Sequence, residues 1–356
     1  MSNDTYLKKL VDDTALKSYL EDELGKRGDG TYNVERHQAG HSNETLFVEW
    51  GDRELVLRRP PPGETADTAH DVLREYTIIN KLQETAVRVP KTVLSSTDHS
   101  ILGSDFYIME KIDGEVIRDS EPERFATPDA RKKISDELVD QLVKIHQTDL
   151  KATGLDDMGR PDGYTRRQVD RWIAQYDWAM EVTENERSLE HLEPVANWLE
   201  ENCPETYPHT LVHGDYKPDN VMFGPGDSPE IVGVFDWELA TVGDPRFDLG
   251  WLLAYWRDPS DPPRAIPELV SDFSEKEGYR TRQELVDRYE TAAGITFDHE
   301  RFYRALSVFK LGALGEMFFR RHLEGNASND LYPKMRERVP SILERATRII
   351  DGEEPL

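Results

Sequence analysis

Apolar positions in this chain change rhythm near residue 110: short strand-like runs come before it, and long stretches with apolar residues every three or four positions come after it. The opening segment is helical. Between Asp4 and Leu24, the residues Leu7, Leu10, Val11, Leu16, Leu20 and Leu24 recur at helical spacing, and Gly25 to Gly30 stop the pattern. Tyr32 to His37, Thr45 to Trp50 and Glu54 to Arg59 read as strands, with Gly51-Asp52 as the turn between the last two. A helix over Thr68 to Leu82 carries Val72, Leu73, Tyr76, Ile79 and Leu82 on one face, and two further strands follow at Pro90 to Leu94 and Phe106 to Met109. Beyond them, Asp129 to His146 and Tyr164 to Val182 are amphipathic helices, and helices fill most of Pro267 to Ile350, including Arg301 to Leu323. The expected class is α+β: a small antiparallel sheet first, then a mainly helical remainder.

One stretch breaks the helical rhythm. Apolar Thr210-Leu211-Val212 runs into His213-Gly214-Asp215-Tyr216-Lys217-Pro218-Asp219-Asn220, and a second apolar run, Ile231 to Phe235, delivers Asp236 21 positions after Asp215. His-Gly-Asp alone would read as a solvated turn, since Asp, Gly, Pro and Asn are the common turn residues. The ordered set suits phosphoryl transfer, which needs a carboxylate to receive a hydroxyl proton and hard oxygen ligands for magnesium. Asp215 is then the base, and Asn220 and Asp236 are the metal ligands.

Composition narrows the picture. The chain has 356 residues, 37% of them hydrophobic, enough for a large core in two domains or one two-lobed domain. Lys plus Arg number 44 against 70 Asp plus Glu, a formal net charge of −26, which argues against nucleic acid or an anionic membrane as partner. The acids are spread over every helix instead of forming a tail, the pattern of a protein solvated for a salt-rich, halophilic cytoplasm. Cys203 stands alone and is expected to be an inert, partly buried thiol. Met1 to Leu10 carry no apolar signal core and no run is long enough to span a bilayer, so the expected location is cytoplasmic. His146 lies on the apolar side of its helix and reads as structural. No His or Cys spacing suggests zinc.

With His213-Gly214-Asp215 and Asn220, Asp236-Trp237-Glu238, Val56 to Gly63, Arg74-Glu75-Tyr76, Phe106 to Glu110 and Arg167 with Trp172, the chain resembles the aminoglycoside phosphotransferase and choline kinase superfamily, small-molecule relatives of the protein kinases. Within it the likeness is to the phosphotransferase domains fused to some acyl-CoA dehydrogenases. The resemblance implies a two-lobed protein-kinase-like fold, with a nucleotide-binding lobe at 1–111 and a catalytic, substrate-binding lobe at 112–356. It implies ATP and magnesium as cofactors and a small-molecule hydroxyl as acceptor. The loop with Gly40, Ser42 and Asn43 would cover the nucleotide, and backbone groups of Glu110 and Ile112 would meet adenine. Arg58 would take the place of the kinase lysine that reaches the phosphates, with Glu75 as its partner; Arg59 competes for the role, since a shift of one residue swaps the faces. Asp248 would brace the catalytic loop that His213 opens. Arg167, Trp172 and Glu238 are the candidate acceptor contacts. A kinase-shaped binding protein is the alternative from another class. A protein kinase fits less well, as no Ala-Pro-Glu follows and only seven residues separate Glu238 from Arg246. Aminoglycosides, choline-like amines, sugars, homoserine and hydroxyacyl thioesters all stay open as acceptors.

Overall fold

Apolar residues alternating on both sides of Gly51-Asp52 fold back on each other. Glu44–Trp50 pairs antiparallel with Arg53–Arg59, setting Thr45 opposite Arg58 and Phe47 opposite Val56, and Gly51 supplies the turn's positive φ of 66°. The computed structural model, which describes residues 3–25, 30–37, 43–62, 71–325 and 329–356, extends this hairpin to a five-stranded antiparallel sheet. Its order is Tyr32–His37, Glu44–Trp50, Arg53–Arg59, Phe106–Glu110, Thr92–Ser96. The chain divides into two units, residues 1–114 with 232–240 and residues 115–231 with 241–356.

In the first unit, one face of the sheet (Leu46, Val48, Leu55, Leu57, Phe106, Ile108) packs on Leu16 and Leu20 of the leading helical segment. That segment is two helices, Asn3–Leu10 and Asp13–Leu24, where one was expected. Asp12 separates them because its carboxylate accepts the amides of Thr14 and Ala15 at 3.0 and 3.1 Å, which caps a new helix and ends the old one. The next helix is Val72–Leu82, begun by Asp71, whose side chain accepts the Arg74 amide; the predicted start at Thr68 lies outside the described residues. The strand expected at Pro90 to Leu94 is Thr92–Ser96, and an unforeseen short helix, His99–Leu102, follows it.

The second unit is helical as expected. Its helix Glu300–Leu323 is buried almost all round, by Tyr164–Thr183, Arg246–Ala254 and Met335–Asp351, which is why its sequence shows little amphipathic contrast. At Gly250 a Cβ would stand 2.8 Å from the Tyr303 carbonyl oxygen, so only glycine lets Arg246–Ala254 approach so closely. Two short strands, Thr210–Val212 and Thr241–Gly243, pair antiparallel and fix where the chain enters His213. Among the described residues, no helix is long and apolar enough to cross a membrane.

Candidate active site

In the second unit the segment His213 to Asn220 leaves its strand under tight control. Gly214 takes a φ of 82°, open to glycine without strain. Asp248, in the first turn of Arg246–Ala254, accepts the His213 amide at 2.6 Å and the Gly214 amide at 2.8 Å. The first amide of its helix, that of Arg246, goes to Asp244, and the cap residue is Pro245, while both Asp248 oxygens serve the loop. Behind it stands His146: Nε2 lies 3.2 Å from Asp248 Oδ2, and Nδ1 lies 2.6 Å from the Tyr289 hydroxyl. A carboxylate can only accept, so His146 donates from Nε2. Burial alone would raise the Asp248 carboxyl, but His146 and His213 hold it below its ordinary range.

Asp215 is thereby presented with both oxygens engaged. Trp251 Nε1 donates to Oδ1 at 2.7 Å, Asn220 Nδ2 to Oδ2 at 2.8 Å, and Lys217 Nζ sits 3.1 Å from Oδ2. The side chain keeps 17% exposure. Burial pushes its carboxyl up, and Lys217, Lys310 and His213 more than offset that, leaving it below the usual value and ionised. Because Asn220 spends its NH₂ on Asp215, its carbonyl oxygen is the atom left for a cation.

The first unit holds a second cluster. Arg58, one residue before its strand ends, has Nη1 donating to Thr45 Oγ1 at 2.9 Å, and Nη2 3.4 Å from buried Glu75 and 3.8 Å from Asp236. Burial lowers the guanidinium's proton affinity, but Glu75, Tyr107, Asp236 and Glu238 raise it further, so it stays charged. Arg59 points to the opposite face, buried, and donates to the carbonyls of Pro60, Leu102 and Leu10. Asp236 itself adopts left-handed φ and ψ of 65° and 59°, uncommon outside glycine, which marks a constrained loop. Arg74 secures that loop by donating to the carbonyls of Glu238 and Ala240.

Residues 33–299 match the model of the phosphotransferase enzyme family. The chain belongs to that family. Human acyl-CoA dehydrogenase family member 11 is 31% identical over 328 residues, which cover 90% of this chain and 40% of that protein. The chain thus spans about two-fifths of that relative's length. A solved protein from Ralstonia eutropha JMP134, named after the aminoglycoside phosphotransferases, is 28% identical with a TM-score of 0.79, covering 95% of this chain and 99% of its own. The aminoglycoside phosphotransferase APH(4)-Ia, solved with AMP-PNP and hygromycin B, shares the fold at 16% identity and a TM-score of 0.59, over 93% of this chain and 98% of its own.

Against this phosphotransferase frame, several expected residues stand differently. Gly40 and Ser42 lie outside the described residues; Asn43 is buried, and neither atom of its amide group has a partner among the described residues. The Glu110 amide is spent on the Lys91 carbonyl at 2.7 Å, because the edge strand pairs there, so it cannot serve adenine. Among the described residues the Ile112 amide makes no such bond. Arg167 donates to the carbonyls of Asp162 and Arg160 and stays exposed, whereas Trp172 is buried beside Lys310 and does not present itself to an acceptor. Lys217, Trp251, Arg74 and Lys310 were not foreseen as site residues. Lys217, within the His213 to Asn220 motif, could have been; the other three act through contacts that no local pattern reveals. Among the described residues, no group of three or more His, Cys, Asp or Glu gathers as a metal centre. Magnesium does not require one: it keeps several waters and takes one or two protein oxygens.

Proposed function

We propose that this phosphotransferase is ATP- and magnesium-dependent and transfers phosphate to the hydroxyl of a small molecule. The observation that carries this reading is Asp215: an ionised carboxylate, aimed by an indole, an amide and an ammonium, at the end of a loop whose amides Asp248 grips. A group so held can accept the acceptor's proton without reorganising. Asn220 through Oδ1 and Asp236 through its carboxylate would hold magnesium, which supplies neutralisation of phosphate charge. Arg58, kept charged and oriented by Glu75, offers a fork matched to phosphate oxygens. The AMP-PNP complex of the fold neighbour supports a nucleoside triphosphate as donor.

For the acceptor we propose a hydroxylated acyl thioester, supported by relatives named as acyl-CoA dehydrogenases; the −26 charge supports a salt-rich cytoplasm as the proposed setting. The test is ADP release in molar KCl with magnesium, comparing kcat/KM for a 4-hydroxyacyl-CoA and for kanamycin. A higher value for the thioester is expected. Preference for kanamycin would replace the acceptor assignment, and no ADP release with any hydroxylated metabolite in a broad panel would overturn the kinase reading.

A further inference from the structure

Lys310 lies in the middle of helix Glu300–Leu323, 2% exposed, and among the described residues no carboxylate is in hydrogen-bonding contact with it. Its ammonium donates to the Gly214 carbonyl at 2.8 Å. Three rings wall it in: Trp251 with its centroid 3.7 Å away, Phe247 at 5.3 Å and Trp172 at 5.5 Å. A buried ammonium is costly unless such partners replace its water, and a methionine of similar length would fill the same space without that cost.

The contacts single out one stretch. The amides of His213 and Gly214 are taken by Asp248, and the carbonyl of Gly214 by Lys310, so the peptide that leads into Asp215 is held from both sides. Trp251 links the two groups: Lys310 sits on its ring, and its Nε1 donates to Asp215 Oδ1 at 2.7 Å. We propose that Lys310 is a positioning residue for phosphoryl transfer, a caged ammonium that fixes the Gly214–Asp215 peptide and, through the Trp251 indole, the direction of the Asp215 carboxylate. Its effect on turnover rests on the phosphotransferase reading; its hold on the loop does not.

The charged groups around Lys310 are Asp215 and Lys217 from the loop, Asp248 from Arg246–Ala254 and Arg171 from Tyr164–Thr183. Burial pushes the ammonium down, Asp215 and Asp248 resist, Lys217 and Arg171 add to the fall, and it reaches about 8. The cage therefore changes charge in an accessible pH range.

The test compares wild type with Lys310→Met. A charge-assisted hydrogen bond is worth roughly ten- to a hundredfold in rate when lost, so kcat should fall by about that factor while the KM for ATP stays within about twofold. A kcat equal to wild type in the folded variant overturns the proposal. The second measurement needs no activity: the ¹⁵N indole resonance of Trp251, assigned with Trp251→Phe, followed from pH 6 to 10. In wild type it should titrate with a midpoint near 8, and in Lys310→Met it should be flat. A flat wild-type resonance, or a titration that survives the substitution, overturns the proposal. If wild type turns over no acceptor, the phosphotransferase reading has failed and the indole titration alone decides. If Lys310→Met does not fold, the wild-type titration decides.

Discussion

Two neighbouring arginines at the end of one strand give a matched pair of perturbations, because alternation sends them to opposite faces of the sheet. Arg58→Ala removes the guanidinium that Glu75 and Asp236 flank; Arg59→Ala removes one that donates to the carbonyls of Leu10, Pro60 and Leu102. If Arg58 grips phosphate, its loss removes charge-assisted bonds worth about 1.5–3 kcal/mol, which raises the KM for ATP roughly 10- to 150-fold. Loss of Arg59 leaves carbonyls at the ends of Asn3–Leu10 and His99–Leu102 without their cation. At about 1–3 kcal/mol for each of these two stranded groups, the expected cost is roughly 2–6 kcal/mol of stability. That corresponds to a fall in Tm on the order of 5–15 °C, with the KM for ATP within about twofold of wild type. Arg58→Ala also strands Glu75, which is only 2% exposed and costly to leave charged and alone. The kinetic comparison is therefore repeated in Arg58→Ala/Glu75→Gln. Coupled assay of ADP formation gives KM, and differential scanning calorimetry gives Tm. A larger rise in KM from Arg59→Ala than from Arg58→Ala would refute the assignment of faces to roles.

Asp215→Asn should lower kcat about 10²–10⁴-fold with ATP affinity unchanged, and turnover within a few-fold of wild type would remove Asp215 from the role. Asp236→Ala should abolish the magnesium dependence of ATP binding, seen by titration calorimetry with and without the metal; unchanged isotherms would contradict it. Raising KCl from low to molar concentration should raise Tm, because a −26 surface is then screened within roughly 3 Å; a flat or falling Tm refutes the halophilic reading. Asp248, held below its ordinary 3.8, stabilises the fold fully above that value and loses its contribution as pH falls through the depressed one. Asp248→Asn should therefore flatten the acid limb of a denaturation profile below about pH 4, and an unchanged limb would place that sensitivity elsewhere.

What could be read from the chain was what chemistry forces into a short span. Asp215, Asn220 and Asp236 stand at spacings set by a loop and a strand, and Asp248 follows closely enough to return to the loop it braces. The sheet and the long helices were visible because period 2 and period 3.6 differ over even a few residues. The Asp12 break was masked because apolar spacing runs straight through it, while the capping signal is a single side chain. Lys310 was invisible for a stronger reason: it sits 95 positions beyond Asp215, in a helix buried on nearly every side, where a lone lysine reads as a solvated residue. Trp172 misled in the opposite direction. A basic, aromatic cluster in an acidic chain looks like a binding patch, but Trp172 is buried beside Lys310 of another helix, a contact that only tertiary packing decides.

The distribution of buried charge bears on the choice between an enzyme and a kinase-shaped scaffold. Arg58 with Glu75 in the first unit, and Asp248, His146 and Lys310 in the second, are all largely withdrawn from water. Fold stability alone does not require them, since apolar residues of similar volume often serve as well or better in such places. The left-handed backbone at Asp236 adds a local cost of its own kind. Lys310 shows the direction of the effect: with its ammonium pushed down to about 8, the folded state at neutral pH carries a charge its surroundings resist. By linkage, this group weakens the fold below pH 8, and the penalty lifts as pH rises toward the lysine's ordinary 10.5. Buried charge also lies elsewhere in the second unit, but there as matched ion pairs such as Arg282 with Asp261 and Arg345 with Glu354; the unmatched cost at Lys310 falls on a residue that holds the peptide leading into Asp215, which a working phosphotransferase site uses and a scaffold does not need.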